Sequence, residues 1–253
     1  MSAGVENTNV EKFPVENSER DLRIDLAAAY RLVDYFGWTE LIFGHLTARV
    51  PGDKPHFLIN PFGLNYDEVT ASNLVKIDID GEIIGTSKYP VNRAGFVIHS
   101  AIHMAHSNEN KCVMHTHTRA GMAMAATKEG LQSVSMTSTE FQDRISYHDF
   151  EGLSLYEDER SRLLSSLGNN KAMILRNHGL LVVGRTIPET FLRLYQLERA
   201  CQIQIDAAAA GTLNILSPAT ARKSGDDMAQ YSENEEGEGT GVLEFSALKR
   251  KLN

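Results

Sequence analysis

Apolar residues recur at two spacings along this chain of 253 residues, and the switches between them mark its elements. Leu22, Leu26, Tyr30 and Val33, with Ala29 and Phe36, follow the helical period. Ser18-Glu-Arg-Asp21 resembles a capping box at the start of that helix, and Gly37 can close it. Trp38 reads as packing. Short extended segments come next, over 45–50 and 57–59, followed by the turn Asn60-Pro-Phe-Gly63. Residues 75–84 read as a hairpin around Asp80-Gly81, because that pair tolerates the positive φ of a tight turn. From 94 to 106 the helical period returns. Residues 111–118 are extended, 118–127 helical, and 133–136 another strand. The stretch 137–150 is polar and irregular, and 157–167 is a helix ended by Gly168. Ala172–Gly184 reads as two buried strands broken at Asn177-His178-Gly179. Thr186-Ile-Pro-Glu189 opens a last long helix, again by a capping box with Pro in the first turn, that runs to about Ala210.

The same pattern sets the domains. Residues 1–17 read as a mobile arm and 18–216 as one domain. Residues 217–253 read as an acidic tail, disordered through 226–241, with a short C-terminal helix over 242–252 that docks back. No internal repeat interrupts this plan. Apolar residues make up 42% and charged residues 23%, which suits a globular protein with a substantial core. The net charge of −8 argues against general nucleic-acid binding, which needs a basic face. No apolar run approaches the roughly 20 residues of a spanning helix, so no membrane partner is expected. Residues 1–12 lack the basic-then-apolar layout of a signal peptide. Cys112 and Cys201 both sit in apolar runs and read as buried thiols of a reducing compartment. A cytoplasmic protein is expected.

Chemistry concentrates in the histidines. In an extended Cys112-Val-Met-His-Thr-His-Thr118, His115 and His117 share one face, roughly 7 Å apart along the strand. Two such imidazoles can grip one ion, and catalytic zinc commonly takes three protein ligands with a fourth position open. His178, placed between two apolar strands beside a glycine that lets the backbone turn, is the natural third. His99, His103 and His106 form a rival stripe on the 94–106 helix. No Glu follows His99 as in an HExxH motif, and these three read as packing or capping histidines beside the sheet.

Val113-Met-His-Thr-His-Thr118 together with Leu175-Arg-Asn-His-Gly179 resembles the class II aldolase/adducin family. So do, in the same order along the chain, Phe43-Gly-His45, Phe57-Leu-Ile-Asn-Pro-Phe-Gly63, Val69-Thr-Ala-Ser-Asn-Leu74 and Asn92-Arg-Ala-Gly-Phe96. The resemblance covers about residues 20 to 212. It implies an α/β fold, a three-layer α/β/α sandwich with a mostly antiparallel central sheet. It implies assembly as a homo-tetramer or dimer with sites near subunit interfaces. It also implies Zn²⁺ on His115, His117 and His178, although Mn²⁺, Fe²⁺, Co²⁺ and Ni²⁺ accept such ligands. In catalytic relatives the ion stabilises charge that develops on substrate oxygen as a carbon–carbon bond breaks.

This sequence departs from the sugar-phosphate members of that family. Their catalytic Glu corresponds to Gly95, and their phosphate-holding Ser-Ser pair to Arg93-Ala94. Their Gly-Asn and Thr-Gly turns correspond to Gly44-His45 and Phe62-Gly63. A sugar-phosphate aldolase is therefore not expected. Two readings follow. In the first, the chain is a metal-dependent lyase, an aldolase or decarboxylase, on a small hydroxy or oxo acid. Arg93 then clamps a substrate carboxylate, beside Gly44, Gly63 and Asn92, while Glu140 or His45 replaces the missing base. In the second, it is a catalytically silent relative resembling the adducin head, whose lysine-rich tail it lacks.

Overall fold

The computed structural model describes residues 18–105, 108–152, 159–234 and 239–252. The N-terminal arm, residues 1–17, and His106 lie outside the described residues. Helix α1 (Glu19–Tyr35) starts at Ser18, whose hydroxyl accepts the Asp21 N–H at 3.2 Å. Its buried stripe, Leu22 to Val33, lies on a seven-stranded sheet of order β3-β2-β1-β4-β7-β6-β5. The strands are β1 (His45–Arg49), β2 (Phe57–Ile59), β3 (Val75–Ile77), β4 (Cys112–Thr116), β5 (Ile145–His148), β6 (Ala172–Leu175) and β7 (Gly179–Gly184). All neighbours are antiparallel except β5 and β6. Beyond β3 the expected hairpin reduces to a turn at Asp80-Gly81 and one isolated bridge, Ile77 to Ile83.

Because strand side chains alternate, each central strand feeds two cores. Leu46, Cys112, Met114, Ile174, Leu180 and Val182 pack with α1 and α6 (Ile187–Ala210). Val113, Met173, Leu175, Leu181 and Val183 pack on the other face with α2 (Arg93–Ala105) and α5 (Glu159–Leu167). Helices on both faces give the expected three-layer α/β/α sandwich with a mostly antiparallel sheet. Two short helices, α3 (Arg119–Ala125) and α4 (Met136–Thr139), follow β4. No strand forms at 133–136: Ser135 instead caps α4, accepting the Ser138 N–H at 3.2 Å. The Thr186 hydroxyl caps α6 as expected, accepting the Glu189 N–H. Glu189 does not complete the box, and its carboxylate takes the Arg185 N–H at 3.0 Å.

The acidic tail departs from expectation. Residues Pro218–Asn234 form α7, which seats Ala221 in the core and bonds the Ser224 hydroxyl to Thr139 at 2.8 Å. The second tail helix, α8 (Val242–Lys249), docks back through Phe245 against Phe191 of α6, ring centroids 5.6 Å apart. Among the described residues no helix is long and apolar enough to cross a membrane. Cys112 and Cys201 are both buried.

Candidate metal centre

His45 and His115 stand opposite each other across β1 and β4, on the sheet face that α2 covers. β4 ends at Thr116, and His117 follows it in the chain's exit toward α3. That exit is fixed by Thr118, whose hydroxyl caps α3 and donates to the buried Glu198 carboxylate of α6. His178 sits in the tight link from β6 to β7. Asn177 there takes a positive φ of 57°, and its N–H bonds to the Ala125 carbonyl at 2.9 Å. Gly179 admits the close approach that follows, since a Cβ there would lie 2.5 Å from the Thr116 carbonyl and 3.3 Å from the His115 ring.

The three rings converge. Nε2 of His117 lies 2.8 Å from Nε2 of His115 and 3.0 Å from Nε2 of His178. The ligand atoms of the three all fall within 4.8 Å of one another. Their orientation is set from behind. The Leu180 carbonyl can only accept, so His115 donates its Nδ1–H there, at 2.8 Å. His117 likewise donates Nδ1–H to the Glu40 carboxylate at 2.6 Å. Both Nε2 lone pairs then face each other, an arrangement that calls for a cation between them. Burial, then the neighbouring histidines, holds the His115 ring well below the usual imidazole range. Burial and His117 take His178 down to about 4, so neutral rings are available as ligands near pH 7. Tetrahedral nitrogens at 2.0–2.1 Å from an ion stand about 3.3 Å apart, a few tenths of an ångström wider than here. The donor set fits a divalent metal, with an acceptor behind two of its rings as metal-bound histidines require.

Glu40 was not legible in the sequence. It lies 77 residues from His117, and no motif spacing connects them.

His45 is buried beside the triad, its ring edge-on to His115 with centroids 5.3 Å apart. Neither of its nitrogens has a hydrogen-bond partner of good geometry. Burial is the main cause that takes it down to about 4, with the charges of His117 and His178 adding to it and the Gly95 backbone opposing. A Cβ on Gly95 would lie 2.0 Å from Nε2 of His45. The ring of His45 therefore occupies the volume into which any side chain at 95 would project. Its opposite partner is His99, stacked at 4.2 Å. His99 and His103 are buried, as expected of packing histidines, and their tautomers follow from one carbonyl. Asn110 O accepts from His103 Nδ1 at 2.7 Å, so Nε2 of His103 accepts the Thr47 hydroxyl at 2.7 Å. The Thr47 oxygen in turn accepts Nδ1–H of His99 at 2.7 Å.

The remaining sequence candidates divide. Gly44 precedes β1 against the His115 carbonyl and the Tyr66 hydroxyl. Asn92 accepts the Gly95 N–H at 3.4 Å, and Arg93 is the first residue of α2, so both start from the corner that His45 occupies. Gly63 lies in the turn after β2 and faces Tyr89. Glu140 is not brought to the triad. It ends α4 and lines a separate cavity with Lys171 and Ala172, at the opposite end of β6 from His178. The expectation that Glu140 could act as the base at the histidines is corrected by that placement. A cavity of about 10 Å³ lies beside His178, between Phe150 and Leu175. It has room for one water.

The family model for the class II aldolase and adducin N-terminal domain matches residues 24–205. The chain belongs to this family. A Caulobacter vibrioides protein whose name places it among the class 2 aldolases is 45% identical over 216 residues, covering 85% of this chain and 84% of its own. Mouse alpha-adducin is 42% identical over 249 residues, which cover 94% of this chain and 34% of the adducin. Among solved structures, an aldolase II superfamily protein from Pseudomonas syringae superposes with a TM-score of 0.85 at 46% identity, over 94% of both chains. An L-fuculose 1-phosphate aldolase from Glaciozyma antarctica superposes at 0.81 with 31% identity, over 95% of this chain and 93% of that one. The relatives thus include proteins named as class II aldolases and proteins named as adducins.

Proposed function

We propose that the chain is a divalent-metal-dependent carbon–carbon lyase, of aldolase or decarboxylase type, acting on a small hydroxy or oxo acid rather than a sugar phosphate. The observation that carries this reading is the convergence of His115, His117 and His178, with the outer nitrogens of His115 and His117 held by Leu180 and Glu40. Three imidazoles favour Zn²⁺, with Mn²⁺, Fe²⁺, Co²⁺ and Ni²⁺ as alternatives. When bound, such an ion supplies Lewis-acid stabilisation of negative charge developing on a substrate oxygen.

The chain's own residues do the rest. Glu40 fixes the His117 tautomer and the orientation of its ring. His45, neutral near pH 7, has a ring nitrogen free to take or return a proton, in place of the carboxylate that Gly95 cannot carry. Arg93, beginning α2 two residues before Gly95, is the clamp for a substrate carboxylate, whose two oxygens match a guanidinium. Asn92, Gly44 and Gly63 complete the substrate side. Two buried thiols fit a cytoplasmic enzyme, and assembly as a homo-tetramer or dimer goes with this reading.

A second reading, a catalytically silent adducin-head-like scaffold, is favoured by two features. The His45 ring fills the space beside Gly95, and the cavity at His178 admits only one water. One experiment separates the two. Metal content of the purified protein is measured by mass spectrometry, and hydroxy and oxo acids are screened for turnover. One ion per chain and turnover of at least one acid are expected. His178→Ala should strip the metal, and Glu40→Gln should weaken its binding by about 10–100-fold. A fully loaded His178→Ala variant would remove that ligand from the assignment. Metal binding without turnover across the panel would leave the silent reading.

A further inference from the structure

The cavity that holds Glu140 takes no part in the chemistry proposed above. It measures about 300 Å³, at the small end of ligand pockets. It lies where α4, the start of β6, the end of β7 and α6 meet, with Met228 and Ala229 of α7 alongside. Four cationic side chains line it, Arg144, Lys171, Arg185 and Arg193, against two carboxyls, Glu140 and Glu189.

Part of that charge is already used. Arg144 donates to the Gly225 carbonyl and pairs with Asp226. Arg193 donates to the Val183 carbonyl and to Glu189. Two cations keep donors in reserve. Lys171 spends one of its three N–H groups, on Oδ1 of Asn110 at 3.0 Å. Arg185 contacts Glu189 through Nε at 3.5 Å, and its Nη groups make no hydrogen bond among the described residues. Facing them, Oε2 of Glu140 is buried without a hydrogen-bond partner, a costly state for a carboxyl oxygen. Positive charge thus exceeds negative in a concave site that also contains an unmatched carboxyl.

We propose that this cavity is a second ligand site, separate from the histidine triad, for a small anion bearing a carboxylate or phosphate group. Its oxygens accept from Lys171 and from the Nη groups of Arg185, charge-assisted bonds that suit either group. Glu140 contributes when protonated, its O–H donating to the anion. Burial pushes that carboxyl up to about 7, against the opposing pull of Arg193 and Arg144. The charged groups around it are Arg144 beyond α4, Lys171 before β6, Arg185 after β7, and Glu189 and Arg193 on α6. From α7, Asp226 is already paired with Arg144. A protonated Glu140 donates and an ionised one repels, so anion affinity falls as pH rises through about 7.

Titration calorimetry on the full chain tests this, with inorganic phosphate and malonate as separate probes at pH about 6 and about 8. Saturable binding of at least one probe at one per chain is expected, tighter at the lower pH. The probe that binds identifies the group. Arg185→Gln should weaken it about tenfold, and this exposed side chain can be changed without disturbing the fold. Glu140→Gln should retain binding and lose most of its pH dependence. His178→Ala should bind as the unmodified protein does. The proposal is overturned if neither probe saturates, if Arg185→Gln binds unchanged, or if binding is lost in His178→Ala instead. The metal reading can fail without affecting any of these outcomes.

Discussion

At the scale of single residues, the decisive pair is His45 and Gly95. With an ideal Cβ only 2.0 Å from Nε2 of His45, position 95 can carry a side chain only if the ring moves. The ring is confined by stacking on His99, which Thr47 holds in turn. Gly95→Ala should therefore destabilise the protein by about 1–3 kcal/mol, the usual cost of overpacking a filled core. Adding His45→Ala should recover most of that loss, a strong departure from additivity. Urea unfolding of the two single variants and the double variant measures it, and additive losses would mean that the ring swings aside freely. The metal-ligand types and the glycine beside His178 were legible in the chain. Glu40 was not, because a carboxylate that orients a ring needs only to meet it in space.

Secondary-structure elements show where the hydrophobic pattern stops being a guide. β5 escaped because its buried positions are Ser146 and His148, which bond to the Leu167 carbonyl and the Ser166 hydroxyl rather than filling an apolar stripe. Without alternating apolar residues, only pairing with β6 reveals it as a strand. α7 escaped for a related reason: a polar, acidic sequence with little intrinsic core is held by one buried Ala and by contacts with α4 that lie far away in the chain. α8, by contrast, was legible from its apolar residues. Phe245 is 2% exposed and packs on Phe191, so Phe245→Ala should cost about 3–5 kcal/mol. A thermal melt tests that, and an unchanged midpoint would show that α8 contributes nothing to the fold.

For the molecule as a whole, the buried histidines set the response to acid. Burial takes His45, His103 and His178 down to about 4, and holds His99 and His115 well below their ordinary value of 6.5. A folded value below the unfolded one means that the unfolded chain binds the extra protons. Stability is then full above about pH 6.5 and falls as pH drops toward 4. His45 and His103, each taken down to about 4, contribute on the order of 3 kcal/mol apiece to that fall, against a total stability of roughly 5–15 kcal/mol. Circular dichroism of the chelator-treated protein should show unfolding between about pH 6.5 and 4. A chain still folded below that window would contradict the burial of these rings.

What the sequence determined by itself was the order of most elements and the three histidines, because periodicity and short motifs are local records of which face of an element is buried; the layered architecture was implied by the resemblance to a known family. What only the tertiary structure decided was which groups meet. Glu40 joins His117, the His45 ring takes the space at Gly95, and Glu140 goes to the far end of β6. Each of these depends on strand register and helix placement, which bring together residues that no spacing along the chain relates.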